Sequence, residues 1–543
     1  MKIGPSRLRP QNRVATPSDK QAPALSQTYS APIGGLLSRS LLTSPSDQTT
    51  ALVLDNFWPT TSGIVPRGGS QLRVKIPNAV KALFQYRNGN TVTFFAADTS
   101  AIYAFSDQTV TGTTLTASVA GQTSGDYGVL ETQTDGGVFL LLVNGQDELQ
   151  LYNGTSWQAV NATSTPLALT GVDTNKLSHL WAYRNRIFFV EGGTMNAWYL
   201  GVNSVAGAAT RLPLSSVFNK GGSLLFGATW SSDSGSGMDD RCVFATDRGE
   251  FAVYSGGNPG DTADWSLNGV YDLGEPLGKG ALMQIGGDLI VATKTGLIPI
   301  SAALSKDPSQ LKLYSLSRAI EPDWRRETVL AGSLSGWRLV KQDQKNRAFV
   351  VPPSQVLLGG FCWVVNLETG AWARFTGWDI GDLAMLDGNP HYGDRFGNIF
   401  IADIGGRDNG NAFECQACFS FDSLGLPGRV KMAHMIRGVW RYNIPFNALL
   451  SVARDYQVSL GTAPSAAVES STNNEGQWDI SEWDQDEWAS YEITYQTEQK
   501  WYSVAAHGEV LAPQIQITSA QVTKLDCELI SVDLMYTSGN LVV

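Results

Sequence analysis

One short phrase recurs along the middle of this chain and limits what it can become: an apolar run, then a polar or small break. It reads Phe94-Phe95-Ala96-Ala97-Asp98, Leu141-Leu142-Val143-Asn144-Gly145, Phe188-Phe189-Val190-Glu191-Gly192, Val243-Phe244-Ala245-Thr246-Asp247, Ile290-Val291-Ala292-Thr293, Trp363-Val364-Val365-Asn366 and Ile399-Phe400-Ile401-Ala402-Asp403. Successive copies begin 47 residues apart in three of six steps, 55 in one, 73 in another and 36 in the last. Propeller blades repeat every 40 to 50 residues or so. Each copy offers strand-length apolar runs bounded by turn chemistry, as in Arg87-Asn88-Gly89-Asn90 and Asp387-Gly388-Asn389. One small sheet cannot bury both faces alone, so neighbours must stack, and closing the ring removes the end faces. The expected fold is all-β, a β-propeller of six or seven blades over residues 75–415. An array of β-sandwiches is the rival arrangement.

Composition agrees. Of 543 residues, 56 are Gly, 10% are aromatic and only 16% are charged, a balance that favours strands and turns over long helices. A chain of this length holds two or three domains. The expected division is an extended arm at 1–30, platform strands at 31–74, the propeller at 75–415 with an insertion at 302–355, and a C-terminal β domain at 416–543. Five cysteines, Cys242, Cys362, Cys415, Cys418 and Cys527, are an odd number in a long chain. They read as small packing residues made in a reducing compartment rather than as a disulfide framework. No apolar stretch approaches a membrane span, and the N-terminus lacks the apolar core of a secretory signal.

The net charge is −11, yet Lys2, Arg7, Arg9, Arg13 and Lys20 face the lone Asp19 within the first twenty residues. Pro5, Pro10, Pro17 and Pro23 keep that stretch extended. It reads as a basic arm that can strap onto a neighbouring subunit, with Lys2, Arg7, Arg9 and Arg13 as interface candidates. In the long insertion, a short helix is expected from Pro322, where proline suits the first turn. Trp324, Arg325 and Arg326 on it are further interface candidates, since Trp and Arg are common interface anchors.

Catalytic motifs are missing from the sequence. It holds no phosphate-binding Gly-x-x-x-x-Gly-Lys-Ser/Thr loop, no Gly-x-Ser-x-Gly elbow and no His-Glu-x-x-His pair. The four histidines are scattered, and Cys415-Gln416-Ala417-Cys418 has the spacing of half a zinc knuckle without a second pair. The chain therefore reads as a non-enzyme without cofactor, metal or catalytic residue. Glu475, Asp479, Glu482, Asp484, Asp486 and Glu487 lie among Trp478, Trp483 and Trp488. Such a stretch suits a tryptophan-anchored loop with an acidic face, paired carboxylates across a sugar, or an acidic lining that repels phosphate so that DNA slides.

Two terminal signatures add a resemblance. Ala31-Pro32-Ile33-Gly34-Gly35-Leu36 is followed by Asp55-Asn56-Phe57-Trp58-Pro59 and Val65-Pro66-Arg67-Gly68-Gly69. Near the other end stand Trp478, Trp483 and Trp488, then Gly508-Glu509-Val510-Leu511-Ala512-Pro513 and a final alternating strand through Tyr536. In that order these motifs resemble the tail nozzle, or distal tail tubular, proteins of short-tailed bacteriophages. The match brackets the chain, covering the first seventy residues and the last hundred and twenty. It departs from the pattern at Leu37 and Ser38, where a more polar turn is expected, and in lacking a glycine-rich motif after the final strand.

The resemblance implies a virion protein, synthesised in a bacterial cytoplasm. It implies a homo-oligomeric ring of about six copies below the tail adaptor, with N- and C-terminal segments joined in a β platform. Such a ring continues the DNA channel, retains packaged DNA, gates its ejection and supports tail fibres or tailspikes. Double-stranded DNA passes without sequence-specific binding. The alternatives are a glycan-binding or glycan-degrading propeller of a phage tail and a host protein-interaction propeller.

Overall fold

The computed structural model describes residues 24–38, 48–106, 115–231, 240–305, 308–331, 334, 336–353, 360–467 and 496–541. Four antiparallel four-stranded sheets follow one another: Ala82–Asn88 to Val119–Ala120, Gly128–Thr134 to Trp157–Val160, Leu177–Tyr183 to Thr210–Pro213, and Leu224–Trp230 to Ser266–Asp272. A three-stranded sheet comes next, Leu282–Ile285, Asp288–Thr293 and Gly296–Pro299. Strands Arg338–Gln342, Arg347–Val351, Phe361–Asn366 and Trp372–Thr376 make the sixth blade and continue into a larger sheet. The last blade is Asp382–Leu386, Asn389–Gly393 and Asn398–Ile404, completed by Gly69–Lys75. Six separate sheets and one limb of the larger sheet thus fill seven positions in a β-propeller. Leading strands of neighbouring blades pack on each other from the second blade to the fourth and from the fifth to the seventh, and Asp382–Leu386 packs against Ala82–Asn88 to bring the seventh blade to the first.

The recurring phrase falls on the second strand in the first five blades and on the third strand in the last two. In the sixth blade the second strand is Arg347–Val351, so the 73-residue step runs from a second strand to a third, whereas the last step of 36 compares two third strands. The polar residue that ends a phrase serves the hairpin. Asn144 Oδ1 accepts from the N–H groups of Gln146 (3.0 Å) and Asp147 (2.8 Å), and Asn366 Oδ1 from Glu368 (2.9 Å) and Thr369 (3.3 Å). Both are side-chain mimics of a backbone turn. The apolar parts of the phrases fill the layers between blades, as with Phe188, Phe244 and Tyr254 between the third and fourth.

Two larger sheets make the platform. The nine-stranded sheet runs from the sixth blade through Gly35–Leu36, Thr50–Asp55, Phe413–Phe419 and Leu511–Ser519 to Ala448–Arg454. The seven-stranded sheet is built on Arg429–Tyr442 and Cys527–Leu541, which pair antiparallel. N-terminal Leu25–Ser30 pairs along Cys527–Leu541, from Leu25 opposite Tyr536 to Ser30 opposite Ser531. The inner faces share one core that includes Leu54, Phe57, Ile436, Trp440, Ile515, Leu529 and Val532.

Some expected boundaries move. The last strand of the 31–74 segment, Gly69–Lys75, belongs to the propeller, where it supplies the missing outer strand. The expected insertion at 302–355 contains two strands of the sixth blade. What is inserted is helical, from Ile300–Ser305 to Glu321–Ala331, and it stands where the fifth blade has no fourth strand.

Candidate functional site

The residues that carry the N-terminal signature converge where propeller meets platform. The Pro-x-Gly-Gly turn brings the chain onto the sixth blade. Gly35 has φ +78°, and a Cβ there would lie 2.5 Å from the backbone N and O of Trp372, so only glycine fits between the parallel strands. Asp55 then takes both arms of Arg374, each at 2.7 Å, a bidentate pair. Asn56 turns the chain at φ 60°. Its Nδ2 donates to the Glu414 carbonyl at 2.7 Å and Thr376 Oγ1 at 2.9 Å. Its Oδ1 accepts from the Thr376 N–H at 2.8 Å. The next two side chains point to opposite faces of their strand. Phe57 enters the platform core, while Trp58 packs on the core between the last two blades.

Arg67 is the centre of the junction. Its side chain has no solvent exposure. Nε donates to Asn56 Oδ1 at 2.7 Å. Nη1 donates to the Gly68 carbonyl at 2.8 Å and Asp408 Oδ1 at 3.0 Å. Nη2 donates to the Thr376 carbonyl at 2.9 Å and Asp408 Oδ2 at 2.6 Å. All five guanidinium N–H groups are therefore engaged. The guanidinium also lies between two rings, 4.0 Å from the Phe413 centroid and 4.5 Å from that of Trp378. Asp408 is held further by Ser70 Oγ at 3.1 Å and Trp378 Nε1 at 3.1 Å. N-terminal motif, sixth blade and platform strand are thereby tied at one charge pair.

A second node lies beside it. Asp403 accepts from the Gly68 N–H at 2.7 Å, Arg347 Nη2 at 2.7 Å and Lys345 Nζ at 2.5 Å, with Lys524 Nζ at 3.8 Å. Burial alone would raise this carboxyl, but Arg347, Lys524 and Lys345 together hold it well below the ordinary carboxylate range. Gly69 must approach so closely that a Cβ would lie 1.9 Å from the Arg407 carbonyl oxygen. The Arg67-Gly68-Gly69 turn is thus fixed at both junction nodes before its strand closes the ring.

A third charged group fills the propeller axis. Lys279, at the entry to the fifth blade, donates to the carbonyls of Asp126 at 2.6 Å and Ser178 at 2.9 Å and lies 3.3 Å from the Asp126 carboxylate. Asp126 enters the second blade and Ser178 lies in the third, so Lys279 reaches across the ring. Arg338 Nε donates to Asp382 at 2.8 Å, and Asp382 accepts the Leu83 N–H at 2.7 Å, linking the sixth, seventh and first blades. His179 Nε2 lies 3.0 Å from the Gly227 carbonyl and joins the third blade to the fourth. Burial, with Lys279 nearby, lowers the His179 pKa to about 4.

The other expected site residues are distributed as follows. Trp324 is a core residue instead of a surface anchor: it stacks on Trp363 at 5.5 Å, packs on Trp337 and donates to the Thr293 carbonyl at 3.0 Å. The helix has a face toward the blade, and its largest apolar side chain takes it. Arg325 and Arg326 stay exposed and pair within their own helix, with Glu321, and with Asp323 and Glu327. Lys2, Arg7, Arg9, Arg13, Trp478, Trp483 and Trp488, with the acidic residues among the tryptophans, lie outside the described residues. Cys415 and Cys418 are buried free thiols, both pushed up to about 12 by burial. Among the described residues no group of three or more His, Cys, Asp or Glu side chains is placed to hold a metal, and no helix is long and apolar enough to cross a membrane. Sequence reasoning missed Asp408, Thr376 and Lys279, which stand in no local motif.

No family's sequence model matches this chain, and no curated protein matches it. Among solved structures it is similar to Sqt1 of Saccharomyces cerevisiae, at 11% identity and a TM-score of 0.36 over 60% of this chain and 83% of that one. It is similar to BBS1N, solved in complex with ARL6DN, at 11% identity and 0.37 over 62% and 97%. It is also similar to Raptor of Chaetomium thermophilum, at 11% identity and 0.34 over 63% of this chain and 28% of that one.

Proposed function

We propose that this chain is a structural subunit of a short bacteriophage tail of the nozzle kind. In this reading about six copies form a closed ring below the tail adaptor. The ring continues the DNA channel, retains packaged DNA, gates its release and supports tail fibres or tailspikes; its work is assembly and gating, without bond cleavage. One observation carries the reading. The signature residues Gly35, Asp55, Asn56, Phe57, Trp58 and Arg67 are not scattered turns but meet at one junction that fastens a propeller to a platform of joined chain ends.

The filled axis fits the same reading. Lys279, Asp126, Arg338 and Asp382 occupy the centre of the propeller, so a conduit wide enough for a duplex has to lie between subunits. A rigid propeller then serves as an outer body and the platform as the surface that packs in the ring. Mass photometry of the full chain, and of a chain without residues 1–23, which leaves the platform strand Leu25–Ser30 in place, tests this. Rings for the full chain that weaken without the basic arm are expected. Monomers for both, with or without the adaptor, would reject the reading.

A further inference from the structure

An asparagine followed by glycine is open to attack on itself: the glycine nitrogen can reach the side-chain amide carbon, because no Cβ crowds the approach and the backbone turns easily there. This chain has five such pairs, Asn88-Gly89, Asn144-Gly145, Asn153-Gly154, Asn268-Gly269 and Asn409-Gly410. The structure sorts them. Asn144 is buried, and its amide is held at both ends, by the N–H groups of Gln146 and Asp147 on Oδ1 and by the Ser124 carbonyl and Asp147 carboxylate on Nδ2. The nitrogen that would attack it is also tied, since the Gly145 N–H donates to the Leu177 carbonyl at 2.8 Å. Asn153 Oδ1 accepts from the N–H groups of Thr155 and Ser156, each at 2.9 Å, and a Cβ at Gly154 would lie 2.6 Å from the Tyr86 hydroxyl. Asn268 Oδ1 accepts from Ser255 Oγ at 2.8 Å, and Gly269 stands in a strand ladder opposite Val253.

Asn88 and Asn409 are different. Both are exposed, neither side chain has a hydrogen bond among the described residues, and a Cβ at Gly89 or Gly410 would meet nothing within 4 Å. Their backbones separate them. The Asn409 N–H donates to the Ser70 carbonyl at 2.7 Å, and Asp408 and Asn411 on either side exchange backbone bonds at 2.8 and 2.9 Å, so that turn is clamped. At Asn88 only the last rung of a hairpin, Asn88 opposite Thr91, has to open before the backbone can turn.

We propose that Asn88 is a site of self-modification by deamidation. The Gly89 nitrogen bonds to Asn88 Cγ, and its proton leaves with the side-chain NH2 as ammonia, which closes a succinimide. Water then adds across one ring C–N bond: opening at Cγ gives aspartate, and opening at the original peptide carbon gives isoaspartate. Either product sets a new carboxylate next to Arg87, which pairs with Asp387 of the seventh blade, and isoaspartate also lengthens the turn by a methylene. The inference does not depend on the tail reading.

The test is peptide mass mapping of the full chain, incubated folded in alkaline buffer and, in parallel, unfolded in urea. Isoaspartate is read by enzymatic methyl transfer to the new carboxylate. In the folded chain Asn88 should lose its amide at least about tenfold faster than Asn144 and Asn153, whose hydrogen bonds have to break first. The rate at Asn88 should rise with pH, because the attacking nitrogen must give up its proton. In urea the five pairs should react at similar rates, which assigns the sorting to the fold. Asn88→Gln should abolish conversion at that position with melting temperature unchanged. Conversion of Asn144 or Asn153 as fast as Asn88 in the folded chain, or an Asn88 that keeps its amide when folded while losing it in urea, would overturn the proposal.

Discussion

Replacing Arg67 by Met removes the charge at the junction while keeping most of the volume between Trp378 and Phe413. Asp408 then loses both short contacts to Arg67 and keeps Ser70 and Trp378. Asn56 Oδ1 and the Thr376 carbonyl each lose one donor. Breaking a buried ion pair from one side costs about 3–5 kcal/mol. With the methionine retaining part of the ring contact, about 4 kcal/mol is expected. At roughly 2 °C per kcal/mol for a large domain, melting falls by about 8 °C. Hydrogen exchange should localise the loss to residues 55–57, 67–70, 374–376 and 408. Asp408→Asn relieves the orphaned charge, so the double variant should recover about 2 kcal/mol relative to additivity. A single variant within about 1 kcal/mol of the parent, or strict additivity of the pair, would refute a junction centred on this ion pair.

Four further outcomes follow from the same geometry. Gly69→Ala places a Cβ against the Arg407 carbonyl and should detach Gly69–Lys75 from the last blade, read as protease cleavage in that strand; an uncleaved variant would count against a ring closed there. Asp403 has its folded pKa lowered by its three cations, so its contribution is present above the unfolded carboxylate pKa near 3.9 and fades as pH falls below it. The stability gap between the parent and Asp403→Asn should therefore be flat from about pH 7 to 5 and shrink below about pH 4, as followed by urea melts. His179, neutral in the fold with a pKa of about 4, contributes stability that is present above the unfolded value near 6.5 and lost as pH falls toward 4, about 3 kcal/mol in all; His179→Gln should flatten that slope. Lys279→Met removes the donor to the Asp126 and Ser178 carbonyls and should cost about 2 kcal/mol in thermal unfolding, with no loss expected if the axial network were idle.

The propeller was legible because its signal is local and repeated. Phe94, Leu141, Phe188, Val243 and Ile290 each sit in the second strand of a blade, and Asn144 and Asn366 turn the hairpins their spacing announces. Closure was not legible. Gly69–Lys75 pairs with residues more than three hundred positions away, and no local pattern distinguishes an outer blade strand from a platform strand. The motif Asp55 to Pro59 was read as turn chemistry plus an aromatic staple, and it is both. Its partners Arg374 and Thr376 lie in the sixth blade and the Glu414 carbonyl on a platform strand, where residue type alone gives no sign of them. Trp324 misled because an exposed anchor and a core staple have the same composition; the helix's position over Trp363 and Trp337 decides between them.

Electron microscopy of the chain bound to a portal and adaptor assembly tests the central claim most directly, since it fixes both the ring and the position of its channel. The account predicts a closed ring in which the platforms surround a central channel and the propellers lie outside it with their axes filled. A chain that never joins the adaptor, or a ring whose only channels are the propeller axes themselves, would contradict it.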